Sequence, residues 1–533
     1  MKNAVGALVA SVAVIVAGWW WLGRPVAMPP VEIGAKFPCV SYAPFGADQT
    51  PLRDDTRVTA AQIEADLAQL AKVTNCVRTY SIEHGVDQVP AIAAKYGLKV
   101  LQGIWLSRLP EKNRWQIDTA IELAKRHPDV IAAIIVGNEV LLRGELSAVQ
   151  LGDFIREVKA AVPVPVTYAD VWEFWLRYRD LVNAVDFVTV HILPYWEDFP
   201  IAADKAAAHT DDIRRQVAAS FPGKDILIGE FGWPSAGRMR EGALPSPSNQ
   251  ARVIQEVLAL AARQNYRVNI IEAYDQPWKR QMEGTVGGHW GLIPADRSAP
   301  KFTLGAPVSD HPFWRWQAVA GAVLAFAVVA AALLRRRAVS APPPPAGAWA
   351  AVAIIAMVAG LMVPWTIALV PLESLGPGGW ARWLTLAALA GTTPIIAAAA
   401  LASGDRVVGF AAIVGGPQQR TPDRLAFALG ALAVVATLFA IQTALGLTFD
   451  ARYRDFPFAP LSAAIIPIAM VRLMAGAGPS RAGTAERIAA VILATASVYI
   501  VLNENYANWQ ALWVAALLLL LGVTLWRLPD GRS

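Results

Sequence analysis

The chain has 533 residues, 55% of them hydrophobic and 17% charged, with a net charge of +5. That is too long for one ordinary domain, and the charged share falls below the usual level of about 25%. The arginines cluster between apolar spans, which argues against nucleic-acid binding, and no zinc-type spacing, His-rich tract or Walker loop occurs, so neither metal nor cofactor is expected. Three regions are read from the shifts in composition: an N-terminal transmembrane anchor over 1–30, a soluble α/β domain over 31–310, and a membrane domain of about seven helices over 311–533.

Residues 4–22 form an uncharged apolar run behind Lys2 that ends in Trp19-Trp20-Trp21. About 19 apolar residues are enough to cross a bilayer, and the tryptophans suit a membrane–water interface. The run is read as an uncleaved anchor, because a cleaved signal peptide would have a shorter core and a small-residue cleavage site.

From Val31 to Leu304, strand-like runs alternate with amphipathic helical stretches. Strands are predicted at 37–42, 76–81, 98–104, 131–138, 164–168, 186–192, 225–230 and 268–274, with helices including 59–72, 86–96, 115–127, 147–161, 202–219 and 248–264. Eight strands in about 275 residues fit one (β/α)₈ TIM barrel. A doubly wound open sheet would carry a glycine-rich phosphate loop after its first strand, and none is present. The only cysteines, Cys39 and Cys76, each begin an apolar strand-like run within the first two predicted strands, Cys39-Val40-Ser41-Tyr42 and Cys76-Val77-Arg78-Thr79-Tyr80. Neighbouring parallel strands would bring them to similar heights, so either a disulfide or two buried thiols is compatible with the sequence.

A TIM barrel presents its chemistry at the C-terminal ends of its strands. The fourth strand ends Ile134-Ile135-Val136-Gly137-Asn138-Glu139 and the seventh Ile226-Leu227-Ile228-Gly229-Glu230-Phe231-Gly232-Trp233, each delivering a carboxylate. Paired carboxylates are the equipment of glycoside hydrolysis, and in retaining enzymes they stand about 5–5.5 Å apart. One of the two, Glu139 or Glu230, is expected to be the nucleophile and the other the acid/base, whose pKa the neighbouring negative charge would raise. The other strand ends are rich in polar and aromatic groups suited to sugar hydroxyls and pyranose faces. They supply Tyr42, Arg78 and Tyr80 from the first two strands, Tyr168, Asp170, Trp172 and Trp175 from the fifth, and His191 and Tyr195 from the sixth. Trp233 follows the seventh, and Glu272, Asp275, Trp278, Lys279 and Trp290 belong to the eighth. His191 and Tyr195 are candidates for orienting the nucleophile, and the tryptophans for stacking platforms; packing inside the barrel mouth is the alternative for each.

Beyond the barrel, Phe313–Leu334 is apolar and stops at Arg335-Arg336-Arg337; the linker Pro342–Pro345 follows, then spans near 347–371, 383–403, 425–447, 459–476, 488–502 and 509–526. Lys2 and the clusters Arg335–Arg337, Arg406/Arg420/Arg424, Arg481/Arg487 and Arg527/Arg532 fall on one side. With eight spans, the positive-inside rule puts both termini in the cytoplasm and the barrel outside. The alanine- and arginine-rich loops suggest a Gram-negative inner membrane, with the barrel in the periplasm.

The two carboxylate motifs resemble those of glycoside hydrolase family 17, the β-1,3-glucanases and β-1,3-glucanosyltransferases, and the likeness covers 37–303. It is nearest the membrane-bound bacterial branch that makes β-(1,3;1,6)-glucans, including cyclic ones. The resemblance implies acid/base and nucleophile roles for Glu139 and Glu230, and a sugar 2-hydroxyl contact for Asn138. Fungal relatives carry Asp-Glu-Pro-Trp-Lys where this chain has Asp275-Gln276-Pro277-Trp278-Lys279. The expected partners are a β-glucan oligo- or polysaccharide, the lipid bilayer and a membrane glucan synthase. A β-glucan transglucosylase is the leading function. A β-1,3-glucan hydrolase and a non-catalytic subunit of a glucan synthesis or export complex are the alternatives, while the cytoplasmic loops are too short to house a sugar-nucleotide synthase.

Overall fold

The computed structural model describes residues 2–32, 34–339, 347–414, 424–474 and 482–527. Pro342–Pro345, Arg420, Arg481 and Arg532 lie outside the described residues. The chain forms two compact units, Val26–Val308 and Met1–Pro25 with Ser309–Ser533.

The first unit is a closed barrel of eight parallel strands in sequential order. They are β1 (Val40–Ser41), β2 (Cys76–Arg78), β3 (Lys99–Ile104), β4 (Ile131–Asn138), β5 (Val166–Val171), β6 (Val188–His191), β7 (Ile226–Phe231) and β8 (Arg267–Ile270). The strand-ending polar residues are therefore all at one mouth. Helices such as Pro110–Arg126, Ala148–Ala161, Ala203–Ser220 and Pro247–Gln264 surround the sheet. Their starts are written locally: Ser147 and Gln150 form a reciprocal capping box, and Ser246 caps a helix whose first residue is Pro247.

β1 and β8 are shorter than their apolar runs. Phe37 makes only an isolated bridge to Thr74, and past Ser41 and Ile270 the chain leaves the ladder for the cleft loops. Val40 pairs with Val77 on one side and Ile270 on the other. Inside the barrel Cys39, Leu101, Ala133, Ile135, Ala169, Phe187 and Leu227 form a small apolar layer. Cys39 and Cys76 are joined by a disulfide across 37 residues of sequence. A loop closure of that length stabilises a fold by roughly 2–4 kcal/mol, chiefly by restricting the unfolded chain.

The second unit contains the apolar helices Lys2–Leu22, Trp314–Ala338, Ala348–Glu373, Gly376–Ser403, Arg424–Phe449, Phe458–Met474, Thr484–Glu504 and Trp509–Trp526, with a short helix Phe410–Val414. Among the described residues seven are long and apolar enough to cross a membrane, while Phe458–Met474 is shorter. The span expected at 488–502 gains residues at both ends; that expected at 459–476 is helical over Phe458–Met474, and its last two positions lie outside the described residues. The N-terminal helix is built into this bundle. Trp19 Nε1 donates to Gly360 O at 3.0 Å and Ser11 Oγ to Ala353 O at 3.1 Å. A Cβ on Gly360 would lie 2.2 Å from Ile15 Cδ1 and 2.9 Å from the backbone oxygen of Gly321, so the close packing here favours glycine.

Candidate active site

Glu139 and Glu230 leave β4 and β7 at the barrel mouth. The turn after β4 is tight: Gly137 has φ 93° and Glu139 φ 53°. A Cβ on Gly137 would stand 2.6 Å from Val140 Cγ2. A left-handed glutamate is an uncommon backbone state that its surroundings must hold in place, and Glu139 N donates to Ala169 O on β5 at 2.8 Å.

Around these carboxylates β2, β4, β6 and β7 converge. Arg78, itself buried, donates through Nη1 to Glu230 Oε1 and Gly229 O, both at 2.9 Å, and through Nη2 to Asn138 Oδ1 at 2.5 Å. Its guanidinium carbon lies 4.6 Å from the Tyr80 ring centre. The buried His191 ring sits between the two acids, with Nδ1 3.0 Å from Glu139 Oε1 and Nε2 3.6 Å from Glu230 Oε1. One ligand-type atom from each of Glu139, His191 and Glu230 lies within 4.8 Å of the others. The cation in this cluster is Arg78. Asn269 completes the floor, donating to Gly229 O at 2.7 Å and Ser41 Oγ at 2.8 Å.

The charge state of Glu139 departs from the expected one. Burial pushes its carboxyl up, but the His191 hydrogen bond and charge, with Arg78 and Arg143, outweigh burial and hold it below the usual carboxylate range. The sequence-based expectation of a raised value counted only the neighbouring carboxylate and not the imidazole.

Several candidate residues serve the walls instead of the cleft. Trp175 is buried against Tyr168 and Phe221 and donates to Thr189 O at 2.8 Å; Trp233 is buried and donates to Leu244 O at 3.0 Å. Neither offers a ring face to a sugar. Trp290 is also buried, stacked on the half-exposed Trp196 at 6.3 Å, and both meet Tyr195 edge-on. Tyr195 donates to Arg238 O, and Tyr42 to Asp66 Oδ2. Tyr168 donates to Asp170, whose carboxyl burial pushes up to about 6. Asp275 is held by Lys301 Nζ at 2.7 Å and accepts from Gly291 N at 2.9 Å. Trp172, Trp196 and Trp278 remain half-exposed around the mouth.

Gln276 has a local reason. Its Nε2 donates to Ala43 O and Tyr274 O, both at 3.1 Å, while Oε1 accepts from Trp278 Nε1 at 2.8 Å. A carboxylate there could not donate to the two carbonyls. Beside it Lys279 pairs with Glu272. Burial works against the Lys279 ammonium, but Glu272 and Glu283 raise its pKa above the usual range.

Arg143 and Glu283, like Asn269 and Lys301, lay outside every sequence motif. Arg143 donates to Asn138 O and to Leu106 O at 2.8 Å, bracing the turn that carries Glu139. Glu283 has its carboxyl raised by burial and, further, by the charges of Glu139 and Glu230. The only sequence signal for either was a charge close behind a strand-end motif.

The profile of the BtgE/BtgC glycoside hydrolase domain matches residues 39–291, the span that builds this cage. The barrel belongs to glycoside hydrolase family 17. The family 17 domain is similar to a glucan 1,3-beta-glucosidase of Arthroderma benhamiae, with 29% identity over 47% of this chain and 86% of that protein. It is also similar to a probable family 17 glucosidase of Saccharomyces cerevisiae, SCW10, with 26% identity over 47% of this chain and 65% of the other. Among solved structures, a family 17 beta-1,3-glucanosyltransferase from Rhizomucor miehei aligns at 26% identity and TM-score 0.45, covering 50% of this chain and 97% of the other. Family 17 membership makes the domain an enzyme of the glycosidase and transglycosylase class.

Proposed function

We propose that this protein is a retaining β-glucan transglucosylase that remodels or branches β-1,3-glucan outside the cytoplasmic membrane. The observation that carries the reading is the opposed pair Glu139 and Glu230, with carboxylate oxygens within 4.8 Å of each other. That separation suits the double-displacement geometry and leaves too little room for the water of an inverting enzyme. Glu230, oriented by Arg78, attacks the anomeric carbon and forms a glycosyl-enzyme. Glu139 protonates the departing oxygen and later deprotonates the acceptor. Asn138 Oδ1 is engaged by Arg78, which leaves Nδ2 to donate to a sugar hydroxyl. The relatives named for glucan 1,3-beta-glucosidase activity support a β-1,3-glucan substrate.

Transfer requires that a sugar hydroxyl reach the intermediate before water. The half-exposed rings of Trp172, Trp196 and Trp278 are the groups able to hold one there. Incubation with a defined laminari-oligosaccharide is expected to give products longer than, or branched from, the starting material, read by mass spectrometry and linkage analysis. Shorter sugars alone would establish the hydrolase instead.

The helical unit is proposed to cross a bacterial inner membrane, with the barrel in the periplasm and a glucan synthase as neighbour. The basic group Arg335–Arg337 ends the helix Trp314–Ala338, and such clusters in short loops resist translocation. A reporter active only outside the cytoplasm is expected to work when fused after residue 305 and to fail after Arg337 or at Ser533. Activity at Ser533 would put the C-terminus outside and overturn this topology.

A further inference from the structure

The resting site poses a proton problem. The double-displacement reading needs a proton on Glu139 for its first step, yet burial is overruled there by His191, Arg78 and Arg143, so the carboxyl favours its charged form. Among the described residues the hydrogen-bond partner of Glu139 Oε1 is His191 Nδ1, at 3.0 Å. Arg143 is turned to the carbonyls of Asn138 and Leu106. The imidazole is fully buried at the end of β6. Charged groups face the ring from four strands: Arg78 on β2, Glu139 leaving β4, Asp170 on β5 and Glu230 on β7. Arg143 and Glu283 add charge around Glu139. Three carboxyl groups and one guanidinium thus face the ring, and the contact of Nδ1 with Glu139 Oε1 is the shortest the ring makes to any of them.

We propose that His191 and Glu139 work as one acid, holding between Nδ1 and Oε1 the proton that the leaving glycosidic oxygen receives. The proposal rests on the double-displacement reading and says where its proton waits. In the first step Glu230 bonds to the anomeric carbon, the bond to the leaving oxygen breaks, and the proton passes from Nδ1 through Glu139 to that oxygen. The site then holds an uncharged Glu230 ester, a Glu139 carboxylate and a neutral His191. In the second step the acceptor oxygen bonds to the anomeric carbon, Glu230 leaves as carboxylate, and the acceptor proton returns through Glu139 to His191. One proton leaves the pair and one comes back. His191 never touches the sugar; it is a positioning residue that also stores the proton.

The test uses the full-length protein in detergent and the variants His191→Asn and His191→Gln, whose amides can offer Oε1 an N–H but cannot carry a proton. The alkaline limb of the kcat/KM profile on a laminari-oligosaccharide reports loss of the pair's proton. Without the imidazole the carboxyl must hold that proton alone. Ordinary imidazole and carboxyl values differ by about two units, so the limb is expected to move down by roughly one to two pH units. A limb that stays put or moves up overturns the proposal, because a ring that only lends charge or position would, on removal, leave the Glu139 proton held more firmly. A 2,4-dinitrophenyl laminaribioside needs no proton at its leaving group. Loss of kcat/KM on it is expected to be at least about tenfold smaller than loss on the oligosaccharide; equal losses on both also overturn the proposal. Failure of the underlying reading is separately visible, since the parent enzyme would then release a product of inverted anomeric configuration.

Discussion

Glu230→Gln is expected to lower turnover of a β-1,3-glucan oligosaccharide by a factor on the order of 10⁴ or more, as removal of a covalent nucleophile does. The amide is isosteric, and its oxygen can still accept the Arg78 Nη1 donor now 2.9 Å from Glu230 Oε1. The barrel should therefore keep its shape while losing the atom that bonds to the sugar. Circular dichroism reports the first property and product release the second. Turnover above about one part in a hundred in a pure preparation would remove Glu230 from the nucleophile's role.

Arg78→Leu acts on the same atom from below. The side chain is 1% exposed and that of Glu230 7%, so the substitution leaves a buried carboxylate without its cation. Breaking a buried pair by removing one partner costs roughly 3–5 kcal/mol, and Asn138 Oδ1 and Gly229 O lose donors as well. Denaturant unfolding of the barrel should reveal a loss of that size, accompanied by a fall in kcat/KM. Arg78→Lys should restore only part of either, because an ammonium cannot reproduce the planar fork that serves Glu230 and Asn138 together. A leucine variant as stable and active as the parent would rule out this support for Glu230.

The barrel was legible because strands such as β3 and β4 are apolar runs bounded by amphipathic helices, and because Gly-Asn-Glu and Gly-Glu-Phe-Gly mark the ends of β4 and β7. β1 and β8 were overread, since an apolar residue that has left the ladder for a buried loop looks in sequence like one still paired. Arg78 and His191 stood out by position. Their partners did not: Arg78 reaches residues 60 and 152 places away, a meeting created only by barrel closure. The charge of Glu139 was misjudged for the same reason, its imidazole partner being 52 residues distant. Tryptophan is ambiguous in a different way. Trp172 and Trp175 differ by three positions at the start of one short helix, yet one ring is half-exposed and the other is packed on Tyr168.

The disulfide crosses one of the shortest joints of the barrel, between β1 and β2. β1 is two residues long and meets β2 only through the pairs Val40–Val77 and Ser41–Arg78. In a protein that opens piecemeal, a seam with so few ladder hydrogen bonds is where local fraying begins. Cys76 stands two residues before Arg78, and Cys39 two before Ser41, so that fraying would spread directly beneath Glu230. With the seam riveted, exchange-competent openings are pushed toward the outer helices and the peripheral loops. The guanidinium that aims Glu230 is thereby kept in register by a covalent bond, even though the strand that carries it is only three residues long.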